Sequence, residues 1–312
     1  MTPTDALARL IGERAVLACL GASAPSAVPA AVAARAMPSP CPPAALPIWL
    51  LVAGADVDAG AGARALGPAL APLLAAGLVE RKGDLLHATA AIARLGAGAV
   101  VVDRLDARGA ERVPWPDDSS FHLAASLPGA ALGAWLDVGT GAAVAPLVAG
   151  SRAAHVRGTD VSAAALARAA QGAALSGRPE LELARADLLD GSSGAWDLIT
   201  FNAPVPADDP SAPATVWHRA PPGAALVDRF WQAVGDLVAP GGEVLTHHAI
   251  GADPWALHAG RAGAVTIARY TPAGERGFAI TRWQPHAAPA RDLVEVALSP
   301  GRPYVHRRDL RS

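Results

Sequence analysis

One short segment combines an acidic residue with two glycines, a combination that can form a ligand-binding turn. The segment Leu136–Val144 is an apolar stretch that contains Asp137 and continues into a turn with Gly139 and Gly141. Glycine has no side chain, so these two positions allow the backbone to approach a ligand closely. Ordinary strand-to-helix turns also use glycine, so the pattern is a weak indication of a site when taken alone.

A second carboxylate strengthens the interpretation of a binding site. Asp160 ends the next strand-like run, about twenty residues after the glycine turn, which is the spacing of the ribose-binding acid in dinucleotide folds. A carboxylate there can accept hydrogen bonds from both hydroxyls of a ribose. Asp160 could instead cap the following helix, but Ser162 is the better candidate for that role. The sequence therefore favours a ligand role for Asp160.

A third acid, Asp187, follows the strand-like run Leu181–Ala186. The carboxyl ends of parallel strands meet at one edge of a sheet, where open α/β folds bind their ligands. Asp187 could accept a hydrogen bond from the exocyclic amine of an adenine, with Val161 and Leu188 on either side of the ring. The alternative interpretation of Asp187 is a solvated turn residue.

These acids and glycines resemble the motifs of class I S-adenosylmethionine-dependent methyltransferases, over residues 118 to 300. The resemblance implies an enzyme with S-adenosylmethionine as cofactor, in which Asp160 binds the ribose and Asp137 faces the methionine portion. One departure is Ala143, which stands where the family has a third glycine. The expected cofactor-binding residues are Asp137, Val138, Gly139, Thr140, Gly141, Asp160, Val161, Asp187, Leu188 and Asn202.

The segment Asp197–Pro206 resembles the Asn-Pro-Pro-Tyr motif of methyltransferases that act on amino and amide groups. In that motif the asparagine and a backbone carbonyl accept the protons of the target nitrogen. The resemblance gives these roles to Asn202 and Ala203, and Pro204 matches the second proline. Ala203 and Val205 replace the first proline and the aromatic residue. We therefore expect Asn202, Ala203 and Pro204 to be the catalytic residues, with the chemical type of the acceptor open.

The run Trp217–Ala225 and the turn Pro240–Gly242 resemble the small-domain methyltransferases related to release-factor glutamine and ribosomal-RNA enzymes. The expected reaction is methyl transfer to an amine or amide nitrogen of a small molecule, peptide or protein. The alternative is a small-molecule O-methyltransferase with a dimerising N-terminal domain and a histidine base. A nicotinamide-dependent oxidoreductase shares the glycine turn, although the full GxGxxG is absent here. A binding protein that uses the fold only as a scaffold is the remaining alternative.

Strand-like and helical runs alternate from Ala134 onward, which predicts a mostly parallel sheet covered on both faces. We expect an α/β, Rossmann-like, seven-stranded sheet with an antiparallel C-terminal strand. The strand-like runs are Trp135–Val138, Ala153–Thr159, Leu181–Ala186, Trp196–Phe201, Glu243–His248, Ala264–Tyr270, Gly277–Trp283 and Leu293–Leu298.

Residues 1–110 are predicted to form a smaller helical domain, and residues 111–312 the cofactor-binding domain. A helix within Ala63–Gly77 precedes two short strands around Gly83, an order that resembles a winged-helix module. We favour packing, dimerisation or substrate covering over DNA binding, because a basic recognition helix is missing. The polar stretch Pro114–Asp118 predicts an interdomain linker.

The charge, the cysteines and the apolar runs of the sequence limit the kinds of binding partner that we expect. A formal net charge of −2 offers no broad basic surface, which disfavours a nucleic-acid partner without excluding it. Cys19 and Cys41 lack the spacing of metal ligands or of a disulfide framework, so no metal is expected. The apolar runs are too short to span a bilayer, and no secretory signal is visible. We expect a soluble cytoplasmic protein with a small-molecule or peptide substrate, without a membrane partner, and with a homodimer as one option.

Histidines could supply a general base, because the imidazole titrates near neutral pH. His247 and His248 are neighbours in a strand, so at most one of them can face the site. We favour structural roles for both, and also for His122 and His218.

Overall fold

The computed structural model describes residues 3–130, 132–149, 152–178, 180–204, 223–271, 277–299 and 301–310. The α-helices in these ranges are α1 (Pro3–Leu10), α2 (Glu13–Leu20), α3 (Val28–Ala33), α4 (Leu46–Leu51), α5 (Ala59–Leu66), α6 (Leu70–Ala75), α7 (Asp118–Ser126), α8 (Val144–Ala149), α9 (Ala163–Leu175) and α10 (Gly223–Ala233). Short 3₁₀ helices lie at Pro25–Ala27, Gly67–Ala69, Val234–Leu237, Ala256–His258 and Arg307–Leu310.

The strands of the N-terminal half are β1 (Val57–Asp58), β2 (Val79–Lys82), β3 (Leu85–Ala88), β4 (Ala91–Leu95) and β5 (Gly98–Val102). Those of the C-terminal half are β6 (Leu132–Val138), β7 (Ala153–Asp160), β8 (Glu182–Arg185), β9 (Trp196–Asn202), β10 (Val238–Ala249), β11 (Ala264–Tyr270), β12 (Phe278–Gln284) and β13 (Ala290–Glu295).

One eight-stranded sheet has the strand order β13-β11-β12-β10-β9-β6-β7-β8. The strands from β10 to β8 pair in parallel, and β12 is antiparallel to both of its neighbours. The predicted α/β fold with a mostly parallel sheet is confirmed. The predicted count of seven strands is not, because β13 adds an eighth strand through parallel pairing with the edge of β11. The antiparallel strand is therefore β12 and not the last one.

The centre of this sheet follows from its apolar runs. In β6 the side chains of Trp135, Leu136 and Val138 are all buried, as are Leu198 and Ile199 of the neighbouring β9. Consecutive buried residues in a strand require cover on both faces, which the helices provide. The polar Asp137 shares this environment and is only 4% exposed.

The N-terminal half contains a three-stranded antiparallel sheet with the order β1-β3-β2. The hairpin expected around Gly83 is present, and Gly83 takes the left-handed φ of 61° that a tight turn favours. A winged-helix identity for residues 1–110 stays a prediction, as does the division of the chain at residue 110.

A second hairpin, β4–β5, packs against the C-terminal half. A Cβ at Gly98 would lie 2.5 Å from the carbonyl oxygen of Leu147 in α8, so only glycine permits this approach. Ser176, at the end of α9, accepts a 2.8 Å hydrogen bond from the amide of Ala99. Buried side chains of both halves belong to one continuous hydrophobic core.

The stretch between the halves is held at several points. Asp103 accepts a 2.8 Å hydrogen bond from the amide of Val113 and pairs at 2.6 Å with Arg168 of α9. Trp115 is buried and donates a 2.9 Å hydrogen bond from Nε1 to the carbonyl of Pro25. The segment expected to be a linker is therefore anchored to both halves of the molecule.

Glu243 of β10 holds the C-terminal segment and yields a stability prediction. It accepts from Arg282 at 2.8 Å and from both terminal nitrogens of Arg307 at 2.5 and 2.7 Å. Burial raises the pKa of Glu243, but the hydrogen bonds and charges of Arg307 and Arg282 outweigh burial and lower the pKa overall. We expect Glu243→Gln to lower the free energy of unfolding by about 2–4 kcal/mol, because two cations lose their buried counterion.

Urea denaturation of Glu243→Gln measures this contribution. The lowered pKa means that the stabilisation is present above the ordinary pKa of glutamate and disappears as the pH falls through the folded-state value. The matched control is Glu295→Gln, which removes an exposed pair with Arg269 and should change stability by less than about 1 kcal/mol. Equal effects of the two substitutions at neutral pH would contradict the role of Glu243.

No single helix in the described part of the chain is long and apolar enough to cross a bilayer. The bent pair Glu13–Leu20 and Pro25–Ala33 meets the length and composition criteria only when both helices are counted together.

Candidate active site

The glycine turn connects β6 to α8 with a backbone that is left-handed at three positions. Gly139, Gly141 and Ala143 have φ values of 61°, 57° and 57°. Glycine adopts the left-handed region freely, whereas the same conformation costs an alanine about 1–2 kcal/mol. A Cβ at Gly141 would meet no atom within 4 Å. Ala143 therefore adopts the left-handed conformation at a small cost in strain.

Asp137 lies beneath this turn. Its Oδ2 accepts a 2.6 Å hydrogen bond from Thr140, and its Oδ1 accepts one from Thr200 of β9. Burial raises the pKa of Asp137 to about 6, against the opposing hydrogen bonds and with a smaller contribution from the charge of Asp160. The carboxylate is thus fixed in orientation and ready to stabilise a cation by its charge.

Asp160 ends β7, beside the glycine turn. Its Oδ2 accepts a 2.8 Å hydrogen bond from the amide of Gly141, and its Oδ1 accepts one of 2.8 Å from the amide of Ser162. Ser162 caps α9 by accepting from the amide of Ala165, which is the division of roles that the sequence favours. Burial raises the pKa of Asp160. The hydrogen bonds from these amides lower the pKa by a smaller amount, so that it is raised overall. Each oxygen retains lone pairs for a ligand.

Asp187 follows β8 at the same edge of the sheet. Its Oδ2 accepts from Arg229 of α10 at 2.9 Å, and both side chains are about half exposed. The neighbouring Leu188 has a φ of 53°, and Val161 after β7 leaves 41% of its surface exposed. Two apolar side chains and an acid therefore lie near the same edge of the sheet, and their role toward an adenine stays a prediction.

Asn202 is the last residue of β9. The nitrogen and the oxygen of its side-chain amide differ in their hydrogen bonds. Nδ2 donates to Ser119 Oγ at 2.8 Å and to Ser120 Oγ at 3.5 Å. Oδ1 is buried and has no hydrogen-bond partner among the described residues. The next residue, Ala203, donates its amide to the carbonyl of His247 at 2.9 Å, which fixes the start of the loop.

A cavity of about 560 Å³ joins these elements. Val138 is the one predicted site residue outside its lining, because its side chain is buried in the core with Leu136. Residues 205–222 lie outside the described part of the chain. They include Val205 and most of the predicted run Trp217–Ala225. The predicted residues that line the cavity are Asp137, Gly139, Thr140, Gly141, Asp160, Val161, Asp187, Leu188, Asn202, Ala203 and Pro204.

A second part of the cavity lining is not predicted from the sequence. It comes from the anchored stretch before α7 and from the first turn of α7, and it includes Pro114, Trp115, Pro116, Asp117, Ser119 and Ser120. Asp117 caps α7 through the amide of Ser120 at 3.2 Å. Two aspartates followed by two serines are typical of a helix start, but nothing in that pattern indicates contact with Asn202 some eighty residues later.

The histidines of the described chain do not line the cavity. His122, His247 and His248 are each at most 2% exposed, and burial lowers the pKa of His122 to about 4 and that of His247 well below its ordinary value. His247 Nε2 shares a 2.7 Å hydrogen bond with Tyr270. These three histidines pack in the core, and His218 lies outside the described residues.

A scan of the sequence against protein-family models finds no match, and a search of curated proteins finds none. Among solved structures, the ribosomal protein L11 methylase of Lactobacillus delbrueckii subsp. bulgaricus is 18% identical, over 52% of this chain and 76% of that one, with a TM-score of 0.39. The 16S rRNA N2 G1207 methyltransferase of T. thermophilus, solved with AdoMet and guanosine, is 16% identical over 84% and 70%, with a TM-score of 0.45.

The tRNA m1G37 methyltransferase of M. jannaschii is 14% identical over 64% of this chain and 57% of that one, with a TM-score of 0.42. Such tRNA and rRNA enzymes among the matches contradict the prediction that a nucleic-acid partner is disfavoured, and we withdraw it. That prediction used the net charge of the whole chain, whereas a single nucleotide is bound by a local pocket. These three solved structures are methyltransferases, one of them bound to AdoMet, in agreement with the family, enzyme class and cofactor predicted from the sequence.

Proposed function

We propose that this chain is an S-adenosylmethionine-dependent methyltransferase that methylates a nitrogen carrying at least one hydrogen. The observation that carries the proposal is the buried and unpartnered Oδ1 of Asn202, in the wall of the cavity that Asp137 and Asp160 also line. A buried acceptor without a partner is costly, so a ligand N–H is its natural complement.

The cavity supports the cofactor part of the proposal. Its volume of about 560 Å³ lies within the range of small-molecule sites. Asp160 would bind the ribose hydroxyls, Asp137 the cationic methionine portion, and Asp187 the adenine amine between Val161 and Leu188. The bound cofactor supplies an activated methyl group, so the protein has chiefly to orient the nitrogen and exclude water.

The acceptor would be positioned by the loop after β9. Asn202 Oδ1 and the carbonyl of Ala203 would each accept an N–H, which directs the nitrogen lone pair away from both oxygens. Pro204 would restrict the backbone that follows. The experiment below identifies the substrate that carries this nitrogen. The candidates are an amine or amide of a small molecule, peptide or protein, and the amino group of a nucleobase.

A ¹³C-methyl transfer assay tests the proposal. The protein is incubated with ¹³C-methyl S-adenosylmethionine and, separately, with guanosine, total RNA and a glutamine-containing peptide. The ¹³C chemical shift of the transferred methyl distinguishes bonds to nitrogen, oxygen and carbon. Label on nitrogen in one of these acceptors supports the proposal, and label found only on oxygen or carbon contradicts the nitrogen assignment.

The alternative of an O-methyltransferase with a histidine base receives less support. A hydroxyl acceptor needs a base within hydrogen-bond reach. Among the described residues none of the histidines lines the cavity. His122, His247 and His248 are also held neutral by burial, which lowers each pKa.

The raised pKa of Asp137 predicts a pH dependence of binding. S-Adenosylhomocysteine carries the same ammonium group as the cofactor, and an ionised Asp137 attracts it more strongly than a protonated one. We expect its affinity to fall as the pH drops through about 6, reaching about tenfold weaker binding one unit below that pKa. Titration calorimetry between about pH 5 and pH 7.5 measures the slope.

Asp137→Asn provides the control for this slope, because it keeps the side-chain shape and removes the titrating group. The variant should bind more weakly at neutral pH and show a flatter profile. For the free protein the sign is opposite: a pKa raised by burial means that the ionised form destabilises the fold, so stability falls as the pH rises towards 6. An unchanged slope in Asp137→Asn would contradict the assignment.

A further inference from the structure

A rotation of the Asn202 side-chain amide by about 180° would exchange the positions of Oδ1 and Nδ2. The two orientations place similar atoms in similar positions, and only the hydrogen bonds decide between them. The partners of Asn202 are Ser119 at 2.8 Å and, more distantly, Ser120 at 3.5 Å. A serine hydroxyl can accept or donate, so the serines alone leave both orientations open.

Asp117 removes this ambiguity. Its Oδ1 accepts a hydrogen bond from Ser119 Oγ at 2.5 Å. A hydroxyl has only one hydrogen, and an ionised carboxylate can only accept. Because the Ser119 hydrogen is committed to Asp117, Ser119 presents lone pairs to Asn202 and must receive Nδ2. The amide oxygen is thereby the atom left buried without a partner among the described residues.

We propose that Asp117 and Ser119 are positioning residues that fix the rotation of the Asn202 amide, so that Oδ1 alone faces the acceptor. Neither residue belongs to the cofactor-binding strands. Both follow the stretch that Trp115 anchors to the N-terminal half through Pro25. The acceptor specificity of the site is therefore set by residues outside the cofactor-binding strands.

The consequence for substrates rests on the proposed function. With Nδ2 occupied, Asn202 offers an acceptor and no donor to the cavity. An acceptor nitrogen must then carry a hydrogen, as an amine, an amide or an exocyclic amino group does. A nitrogen with only a lone pair, such as N7 of guanine, would face the Asn202 oxygen without a hydrogen bond.

The chain gives this proposal a direct spectroscopic test, because Asn202 is its only asparagine. Labelling the full chain with ¹⁵N-asparagine yields one side-chain NH₂ group in a ¹H–¹⁵N spectrum. We expect its protons to be resolved and protected from exchange with water. In Ser119→Ala the exchange should accelerate by about fivefold or more, the equivalent of one lost hydrogen bond. An unchanged spectrum in Ser119→Ala would overturn the proposal.

Three further variants separate the roles. Asp117→Ser preserves a capping side chain for α7 but removes the carboxylate, so it should also speed the exchange. Ser120→Ala should leave the protection in place, and loss of protection there instead of in Ser119→Ala would overturn the assignment. Ser193→Ala, an exposed serine away from the cavity, is the matched control for the substitution itself.

Turnover with an acceptor identified by the transfer assay adds a functional arm. Ser119→Ala should lower kcat by about tenfold while the affinity for S-adenosylhomocysteine stays within about twofold, and Ser119→Thr should restore kcat. Full activity of Ser119→Ala beside an inactive Asn202→Ala would overturn the positioning role alone. Full activity of Asn202→Ala would overturn the proposed function, while the spectrum would still report the orientation of the amide.

Discussion

Asp160→Ala is expected to weaken the binding of S-adenosylhomocysteine by about a hundredfold. The carboxylate would lose two hydrogen bonds to the ribose, and bonds to a charged group contribute about 1.5–3 kcal/mol each. A loss of about 3 kcal/mol corresponds to roughly two powers of ten. Titration calorimetry at pH 7.5, at about physiological ionic strength, measures the change.

Two comparisons separate this effect from local damage. Asp160 also accepts from the amides of Gly141 and Ser162, so its removal loosens the turn. Asp160→Asn keeps the shape and one acceptor and should show a smaller loss. Asp190→Ala removes an exposed acid from the turn after β8 and should leave the affinity unchanged. Wild-type affinity in Asp160→Ala would contradict the ribose assignment.

Asn202→Ala is expected to lower kcat by about a hundredfold on the acceptor that the transfer assay identifies. A misplaced acceptor costs about this factor when proximity and orientation supply most of the rate. The affinity for S-adenosylhomocysteine should fall far less, by about fivefold at most, since Asp137 and Asp160 keep the main contacts. Initial rates over a range of acceptor concentrations separate kcat from KM.

The matched control is Gln232→Ala, which removes an exposed side-chain amide from α10. It should retain wild-type turnover and binding. Asn202→Ala should lower the free energy of unfolding by only about 0.5–1.5 kcal/mol, because it loses the Nδ2 hydrogen bond to Ser119, whereas Oδ1 has no partner in the described chain. Undiminished kcat in Asn202→Ala would mean that another group positions the acceptor.

Much of the C-terminal half was predictable from its sequence. The predicted runs Trp135–Val138, Ala153–Thr159 and Trp196–Phe201 all fall within strands of the structure. Asp160 and Asn202 are the last residues of β7 and β9, and Asp137 is the second-to-last residue of β6. Parallel strands bring such residues to one edge of a sheet. The predicted residues that line the cavity lie near this edge, and Val138 is the exception because alternate residues of a strand point to opposite faces.

The remaining parts depend on contacts between distant segments. Ser119 meets Asn202 only because Trp115 and Asp103 anchor the stretch between the halves, and no local pattern encodes that approach. The β4–β5 hairpin is a continuous buried run whose partner helices lie far along the chain. The eighth strand, β13, has no buried residue and joins the sheet through parallel pairing with β11, so its pattern of apolar residues does not reveal its place.

The cofactor is the central claim, and titration calorimetry of the full chain with two ligands tests it most directly. S-Adenosylhomocysteine and NAD⁺ share an adenosine but differ in the portion that Asp137 would face. We predict saturable binding of S-adenosylhomocysteine, lost in Asp160→Ala, and no binding of NAD⁺ at the same concentrations. Binding of NAD⁺ in preference to S-adenosylhomocysteine, or binding of neither, would contradict the account.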